Sequence, residues 1–511
     1  MTFKFHQKIH IKAIFGNVGL FLYIPAFMAF ITIGISLVFQ EYFAILPLLI
    51  TGVVNLLIAY ILHRFCFEPQ KVHLWDAMIS IALAWFFCAI FGAIKYYTVA
   101  KVSLALNISV DSVYLLTKPI NALFESFSGF TSSGLTMLDK VSTLPKTIQW
   151  LRSFQQWVGG VGLIIFVLSL IEPKSEEYQL YFAETKSKGF RKSLLNTTRS
   201  IILIYSIFTV LGIVLFSLAK MDIWAAINHS MSAISTGGFT ITDNSFVGYS
   251  NIIQIIAMFL LILGAMSFTL HYKIFIQRKF LDFFKNIQNR VFFILLIIGS
   301  ILIISINLKL NHFINYVFQW ISSLATCGFF SQKIANLTTA TKFLMIMAMI
   351  IGGCSGSTVG GLKIRRIIFL FQSLTLRIIA FTILKEKKVL TKKRQPKKED
   401  PSGVYLPESH KTERLYEASV LFFLWILTLF LGVFVLLLLE PEKKIIDIFF
   451  DVTSAMSNVG LSTGVTIDSL KTFSKIIFIF LMWLGRLEII PILVLFISFF
   501  YSCPKKIPQK K

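Results

Sequence analysis

A short pattern occurs four times in this chain, and nothing else in the sequence restricts the fold as much. Aligned on Gly134, Gly238, Gly328 and Gly460, each copy has a serine six positions earlier: Ser128, Ser232, Ser322 and Ser454. Five before the glycine stands a small residue (Gly129, Ala233, Ser323, Ala455), and four before it an apolar one (Phe130, Ile234, Leu324, Met456). A bulky apolar residue follows (Leu135, Phe239, Phe329, Leu461), and nine before is a polar or charged one (Glu125, His229, Gln319, Asp451). A single copy reads as a Ser/Gly surface loop. Agreement at five positions in four segments reads as a fourfold internal repeat.

The surroundings of the four copies are apolar. Of 511 residues 56% are hydrophobic and 14% charged, which is the composition of a polytopic membrane protein. Runs such as "AMISIALAWFFCAIFGAI", "IILIYSIFTVLGIVLFSLA" and "VFFILLIIGSILIISI" are long enough to cross a hydrocarbon core of roughly 30 Å as helices. The repeats are flanked by spans near 76–98 and 148–171, 199–219 and 251–272, 291–308 and 341–375, and 416–438 and 473–501. "INALFESFSGF" and "IIDIFFDVTSAM" are about half a span long, so the segment before each glycine is expected to enter from the outer side and turn back. The fold class that follows is an all-α polytopic membrane protein. Four helix–half-helix–helix repeats stand in pseudo-fourfold arrangement around one pore, after an N-terminal transmembrane hairpin. The expected division is a hairpin (1–70), repeat one (71–190), repeat two (191–285), repeat three with an interrupted span (286–383), a basic loop (384–415), and repeat four with a basic tail (416–511). The first run, following "MTFKFHQKIHIKA", is too long for a signal-peptide core and is read as a retained span.

The net charge of +24 is carried by alternate loops, including "ETKSKGFRKSLLNTTR", "LKEKKVLTKKRQPKKED" and "CPKKIPQKK". That alternation places both termini in the cytoplasm and points to a basic surface against anionic lipid, not to a nucleic-acid partner. The 384–415 segment reads either as a docking site for a regulatory partner or as a solvated loop facing lipid. The cysteines, Cys66, Cys88, Cys327, Cys354 and Cys503, form no CxxC and support neither a disulfide framework nor a zinc site. No HExxH, GxSxG or Walker loop is present, and Asp and Glu are sparse, so an enzyme is not expected. A carrier built from two inverted halves is also disfavoured, because one unit is repeated four times in the same orientation.

Non-helical backbone at membrane depth is tolerated only where it lines a wet cavity. Four such stretches converging on one axis would let the carbonyls of Ser132, Ser133 and Gly134, of Thr236, Gly237 and Gly238, of Thr326, Cys327 and Gly328, and of Asn458, Val459 and Gly460 replace the water around a cation. The half-helices would aim their negative C-terminal dipole ends at the same point. Glu125 and Asp451 either add negative charge to the outer path or bond to neighbouring helices and backbone, and His229 is either packed or functional. The repeated serine reads as a small, hydrogen-bonding contact for close packing. "IGGCSGSTVGGLKIRR" interrupts a span with Gly352, Gly353, Gly356, Gly360 and Gly361, beside Ser355, Ser357 and Thr358. It reads either as a broken, flexible barrier or as close packing through small residues, with Lys363 marking the return to the cytoplasmic face. Arg486 lies inside the last span, where a charge is expensive; it faces either the path or an inter-helix salt bridge. Glu488, two residues on, lies on another helix face and is not its obvious local partner.

These residues resemble the Trk/Ktr/HKT superfamily of potassium-transport membrane subunits, and the Trk branch in particular. The likeness rests on the four glycine loops, "LRSFQQWVGGVGLI" (151–164), "IGGCSGSTVGGLKIRRI" (351–367) and "LMWLGRLEIIPILVLF" (481–496), and spans about Trp75 to Phe500. It implies potassium uptake across the plasma membrane through a filter at the twelve loop residues just named. It also implies gating by the 352–361 loop with Lys363 and Arg486, a homodimer, and a cytosolic, nucleotide-binding regulatory ring. Under that resemblance the chain itself carries no cofactor: potassium is the substrate, and nucleotide belongs to the partner. In the family a serine in place of the first glycine accompanies sodium preference; Gly134 therefore implies potassium. Ala325, Cys327, Phe330, Asn458 and Val459 depart from the family pattern and leave a sodium-permeable or ion-coupled transporter as the alternative.

Overall fold

In a computed structural model that describes residues 10–66, 74–108, 111–170, 190–307, 313–387 and 408–501, each copy of the repeat opens with a helix of twelve residues. These are Pro119–Phe130, Ile223–Ile234, Phe313–Leu324 and Ile445–Met456. Proline opens the first, where its missing N–H is not needed. Asp222 caps the second by accepting from the amides of Trp224 and Ala225.

All four end in one way. The residue two before the glycine turns left-handed: Ser132 (φ 52°), Thr236 (48°), Thr326 (47°) and Asn458 (51°). The next amide then reaches back to the carbonyl of the repeated serine: Ser133 to Ser128 at 2.8 Å, Gly237 to Ser232 at 2.8 Å, Cys327 to Ser322 at 3.0 Å, and Val459 to Ser454 at 2.8 Å. This is the Schellman closure of a helix C-terminus, with Ser, Thr or Asn where glycine is usual. The sequence repeat is thus the signature of four identical helix stops.

Around these short helices stand the longer ones. Leu74–Ala105, Phe190–Leu218, Ile287–Asn307 and Glu408–Leu439 precede them, and Lys146–Leu170, Asn251–Ala265, Thr339–Ile351 and Thr472–Arg486 follow. Among the described residues six helices are long and apolar enough to cross a membrane, or eight if each bent pair is one span. The following helix of each repeat packs on the half-helix of the next, and the fourth, Thr472–Arg486, packs on the first half-helix, Pro119–Phe130. The ring of repeats therefore closes on itself. The N-terminal hairpin, Ile11–Val38 and Ile45–Cys66, packs outside it on Leu74–Ala105. Pro25 cannot donate to the Phe21 carbonyl; the Cys88 thiol contacts that oxygen at 3.7 Å, and Lys95 Nζ donates to the Pro25 carbonyl at 2.7 Å.

Close packing depends on glycine. A Cβ on Gly92, Gly212, Gly299 or Gly432 of the preceding helices would meet Ser126, Ser230, Trp320 or Val452, in each case the half-helix residue eight before the repeat glycine. A Cβ on Gly159, Gly264 or Gly485 of the following helices would meet the carbonyl of Phe130, Ile234 or Met456 at 2.3, 2.8 and 2.0 Å.

Two spans expected to be continuous are broken. The 251–272 run bends by 97° after Ala265, and the 473–501 run by 111° after Arg486. The first break has a tertiary cause: amides of the 352–363 loop take the Gly264 and Ala265 carbonyls, and Phe268 N donates to the Gly356 carbonyl. At the second, Glu488 (φ 63°) and Ile489 (φ 68°) turn left-handed, and Pro491 sits in the first turn of the helix that resumes at Ile490. Most of the basic loop 384–415, the basic N-terminus and the tail with Cys503 lie outside the described residues.

Candidate functional site

The four repeat glycines meet. A Cβ on Gly134 would lie 2.2 Å from the Gly237 carbonyl oxygen, one on Gly238 2.0 Å from that of Cys327, one on Gly328 2.2 Å from that of Val459, and one on Gly460 2.3 Å from that of Ser133. Loop one touches two, two touches three, three touches four, and four touches one. Each glycine has positive φ, between 83° and 95°, two residues after the left-handed stop of the half-helix. Alternation of left-handed residues with one that lacks positive φ lets successive carbonyls turn toward one side, which is the property a carbonyl-lined passage requires. All twelve expected loop residues are thus brought together, and the first two in every loop are buried.

Of the four polar residues nine before the glycines, Glu125, Gln319 and Asp451 bind the chain that follows their own loop, and His229 is packed among rings. Glu125 accepts from Thr136 Oγ1 and from Met137 N at 2.7 Å, and pairs with Arg152 Nε at 3.1 Å. Arg152 also donates to the Thr240 carbonyl and lies 4.0 Å over the Phe239 ring, joining repeats one and two. Asp451 accepts from Ser462 Oγ, Thr463 N and Thr466 N. Gln319 donates to the Gln332 carbonyl at 2.9 Å. His229 lies between Phe246, Tyr249 and Phe329 with no hydrogen-bond partner on either ring nitrogen. Of the repeated serines, Ser232 Oγ donates to Gln156 Oε1, Ser322 Oγ to the Phe329 carbonyl, and Ser454 Oγ accepts from Gly460 N.

Further out, polar side chains tie three of the four seams. Trp224 Nε1 donates to Gln149 Oε1 at 2.8 Å, Lys342 Nζ reaches Asp447 at 2.8 Å, and Lys475 Nζ reaches Asn121 Oδ1 at 2.8 Å. Asp468 completes the last tie through Lys118, Asn121 and Lys475.

Beneath the glycine ring lies the loop from Gly352 to Lys363, with left-handed Gly352, Gly356, Gly361 and Lys363. It touches three of the four ring loops. Thr236 Oγ1 donates to Thr358 Oγ1 at 3.1 Å, Gly360 N donates to Thr326 Oγ1 at 2.9 Å, and a Cβ on Gly360 would lie 1.9 Å from the Ser457 carbonyl oxygen. Thr358 Oγ1 also contacts the Ile234 and Gly264 carbonyls, and Ser357 Oγ donates to the Cys354 carbonyl. Gly353 packs against the Ala265 carbonyl.

The break after Arg486 clasps this loop from two directions. The buried Arg486 guanidinium donates to the Thr358 carbonyl at 2.8 Å and, in repeat one, to the Gly159 carbonyl at 2.6 Å and that of Gly160 at 3.3 Å. Its Nε has no partner. The Glu488 carboxylate binds Lys363 Nζ at 2.5 Å and Arg366 Nη2.

Two parts of this arrangement escaped the sequence reading. A glycine recurs 25 or 26 residues after each repeat glycine (Gly159, Gly264, Gly353, Gly485), a spacing open to inspection once the copies are aligned. Gln156 occupies no repeated position, and its grip on loop two is a contact between repeats that no local spacing reports.

A family model described as a cation transport protein, TrkH, matches residues 89–502. Over 488 residues the chain is 32% identical to an uncharacterized cation transporter of Methanocaldococcus jannaschii, covering 95% of this chain and 94% of that one. It is 32% identical over 402 residues to the Trk system potassium uptake protein TrkH of Escherichia coli K12, covering 75% and 79% of the two chains. The crystal structure of the potassium transporter TrkH from Vibrio parahaemolyticus superposes with a TM-score of 0.81 at 23% identity, over 96% of this chain and 99% of that one, which establishes the common fold. The chain is a multi-pass membrane protein and belongs to the TrkH family of cation transport proteins.

Proposed function

We propose that this chain carries potassium into the cell across the plasma membrane, with both termini in the cytoplasm. The observation that carries the reading is the closed ring of Gly134, Gly238, Gly328 and Gly460, each against a carbonyl of the next loop. The carbonyls of Ser132–Gly134, Thr236–Gly238, Thr326–Gly328 and Asn458–Gly460 stand in for the water that a potassium ion loses, and four half-helix C-termini supply negative potential. Relatives named as potassium uptake proteins support the choice of ion.

The 352–363 loop is the gate in this reading, and Arg486 is its latch. At about 4 Å and an effective dielectric of about 20, a guanidinium opposes a passing cation by about 4 kcal/mol, enough to hold the path closed until the loop moves. Movement requires breaking the contacts of Arg486 with Thr358 and Gly159 and those of Glu488 with Lys363 and Arg366. A homodimer and a cytosolic ring that binds nucleotide complete the proposed assembly, the ring acting on the basic cytoplasmic face. The test is growth of potassium-uptake-deficient cells at low external potassium. The parent chain is expected to rescue; Gly134→Ser and Gly460→Ser are expected to fail or to admit sodium. Equal rescue by both variants would refute the placement of the filter.

A further inference from the structure

Gln156 makes contacts that its counterparts in the other repeats cannot make. The residues 22 after the other three ring glycines are Leu260, Ile350 and Met482, none with a polar side chain. Gln156 is fully buried. Its Oε1 accepts from Ser232 Oγ at 2.7 Å and from Phe239 N at 2.9 Å, and its Nε2 donates to the Gly237 carbonyl at 2.5 Å. A backbone amide only donates, so the Phe239 contact fixes which end of the side-chain amide is oxygen. A Cβ on Gly237 would lie 2.4 Å from the same side chain, so Gln156 also explains why that position is glycine. The Gln156 backbone carbonyl accepts from Ser132 Oγ at 3.2 Å. One residue thus holds loop two before and after its ring glycine and touches loop one as well.

We propose that Gln156 is a positioning residue for ion selectivity, acting through the Gly237 carbonyl. The inference rests on the conduction reading above. The Gly237 oxygen is the one packed against Gly134 in the ring. Accepting from Nε2 occupies one of its lone pairs and limits how far it can be drawn in around an ion. Selectivity among alkali cations depends on the number, field strength and mobility of the carbonyls that surround the ion. A corner held back and partly neutralised disfavours the smaller cation, which needs its oxygens drawn in, more than the larger one.

The test uses the full chain in proteoliposomes and reads the ratio of potassium to sodium flux. Gln156→Met removes the donor, and the ratio is expected to fall about 5- to 10-fold, the worth of one buried hydrogen bond. Gln156→Glu keeps both acceptor contacts. At about pH 9 the ionised carboxylate cannot donate and the ratio falls; at about pH 6 the protonated carboxyl donates to Gly237 again and the ratio recovers. A residue with a merely structural role would give no such recovery. A Gln156→Met ratio within about twofold of the parent overturns the proposal, as does a Gln156→Glu ratio that is unchanged between the two pH values; the second comparison decides if Gln156→Met does not fold. A parent chain that passes neither cation refutes the conduction reading and this inference with it. A selective parent with unaffected variants refutes this inference alone.

Discussion

Gly460 and Gly464 provide a controlled comparison four residues apart. Both have the left-handed φ that L side chains rarely adopt, 95° and 96°. A Cβ at Gly464 would have nothing within 4 Å, whereas one at Gly460 would lie 2.3 Å from the Ser133 oxygen and 2.8 Å from the Gly134 Cα. Alanine at either site carries the backbone cost of about 1–2 kcal/mol. Only at Gly460 must the neighbouring loop also retreat by about 1 Å to reach ordinary contact distance, an overpacking cost of about 1–3 kcal/mol. If that difference falls on the passage of the ion, potassium flux drops by about 5- to 160-fold in Gly460→Ala, while Gly464→Ala stays within about threefold of the parent. The assay is rubidium or potassium uptake into proteoliposomes, normalised to the amount of protein incorporated. Gly34→Ala, in an open helical position, serves as a neutral control. Equal losses in Gly460→Ala and Gly464→Ala would mean that backbone strain, and not contact around the ring, accounts for the effect. No loss in Gly460→Ala would refute the ring as the route.

Three further predictions address the surroundings of the ring. Glu125→Gln leaves the Arg152 charge buried without its acid and is expected to lower stability by about 3 kcal/mol, while adding Arg152→Met recovers part of the loss; thermal unfolding in detergent measures both. Glu488→Gln weakens the hold on Lys363 and Arg366 and is expected to raise flux in the unstimulated state; unchanged flux would argue against a latch at this turn. Asp468 is pushed up by partial burial, but hydrogen bonds from Lys118, Asn121 and Lys475 bring its carboxyl from 3.8 down to about 2. Because the folded value is the lower one, its stabilisation is present above about pH 4 and disappears as pH falls through about 2. Asp468→Asn is therefore expected to lower the unfolding midpoint at pH 6 and to converge on the parent near pH 2.

What was legible in the chain was local. Four copies of one pattern between apolar flanks announced four half-helices that turn back and, with them, the fold; the repeated serine reads as a packing contact, and that its backbone carbonyl closes each helix end emerged only from the structure. The interruption at Gly352–Gly361 was visible because so many glycines cannot sustain a helix. The bends after Ala265 and Arg486 were not visible. The first arises from a loop of another repeat that takes its carbonyls, and at the second Glu488 and Ile489 adopt a conformation that their side chains disfavour. The carboxylates of Glu125 and Asp451 were likewise ambiguous, because whether they stand free depends on the path of the chain after the glycine.

The helix Lys146–Leu170 runs unbroken beside the ring, whereas the corresponding elements of the other three repeats are each severed by a loop or a sharp bend. Fourfold likeness in the outer half therefore gives way to a single stiff wall facing three jointed ones in the inner half. Under the proposed gating, such a frame would open from one side instead of widening like an iris, with the Gly159–Gly160 segment as the doorpost against which Arg486 rests.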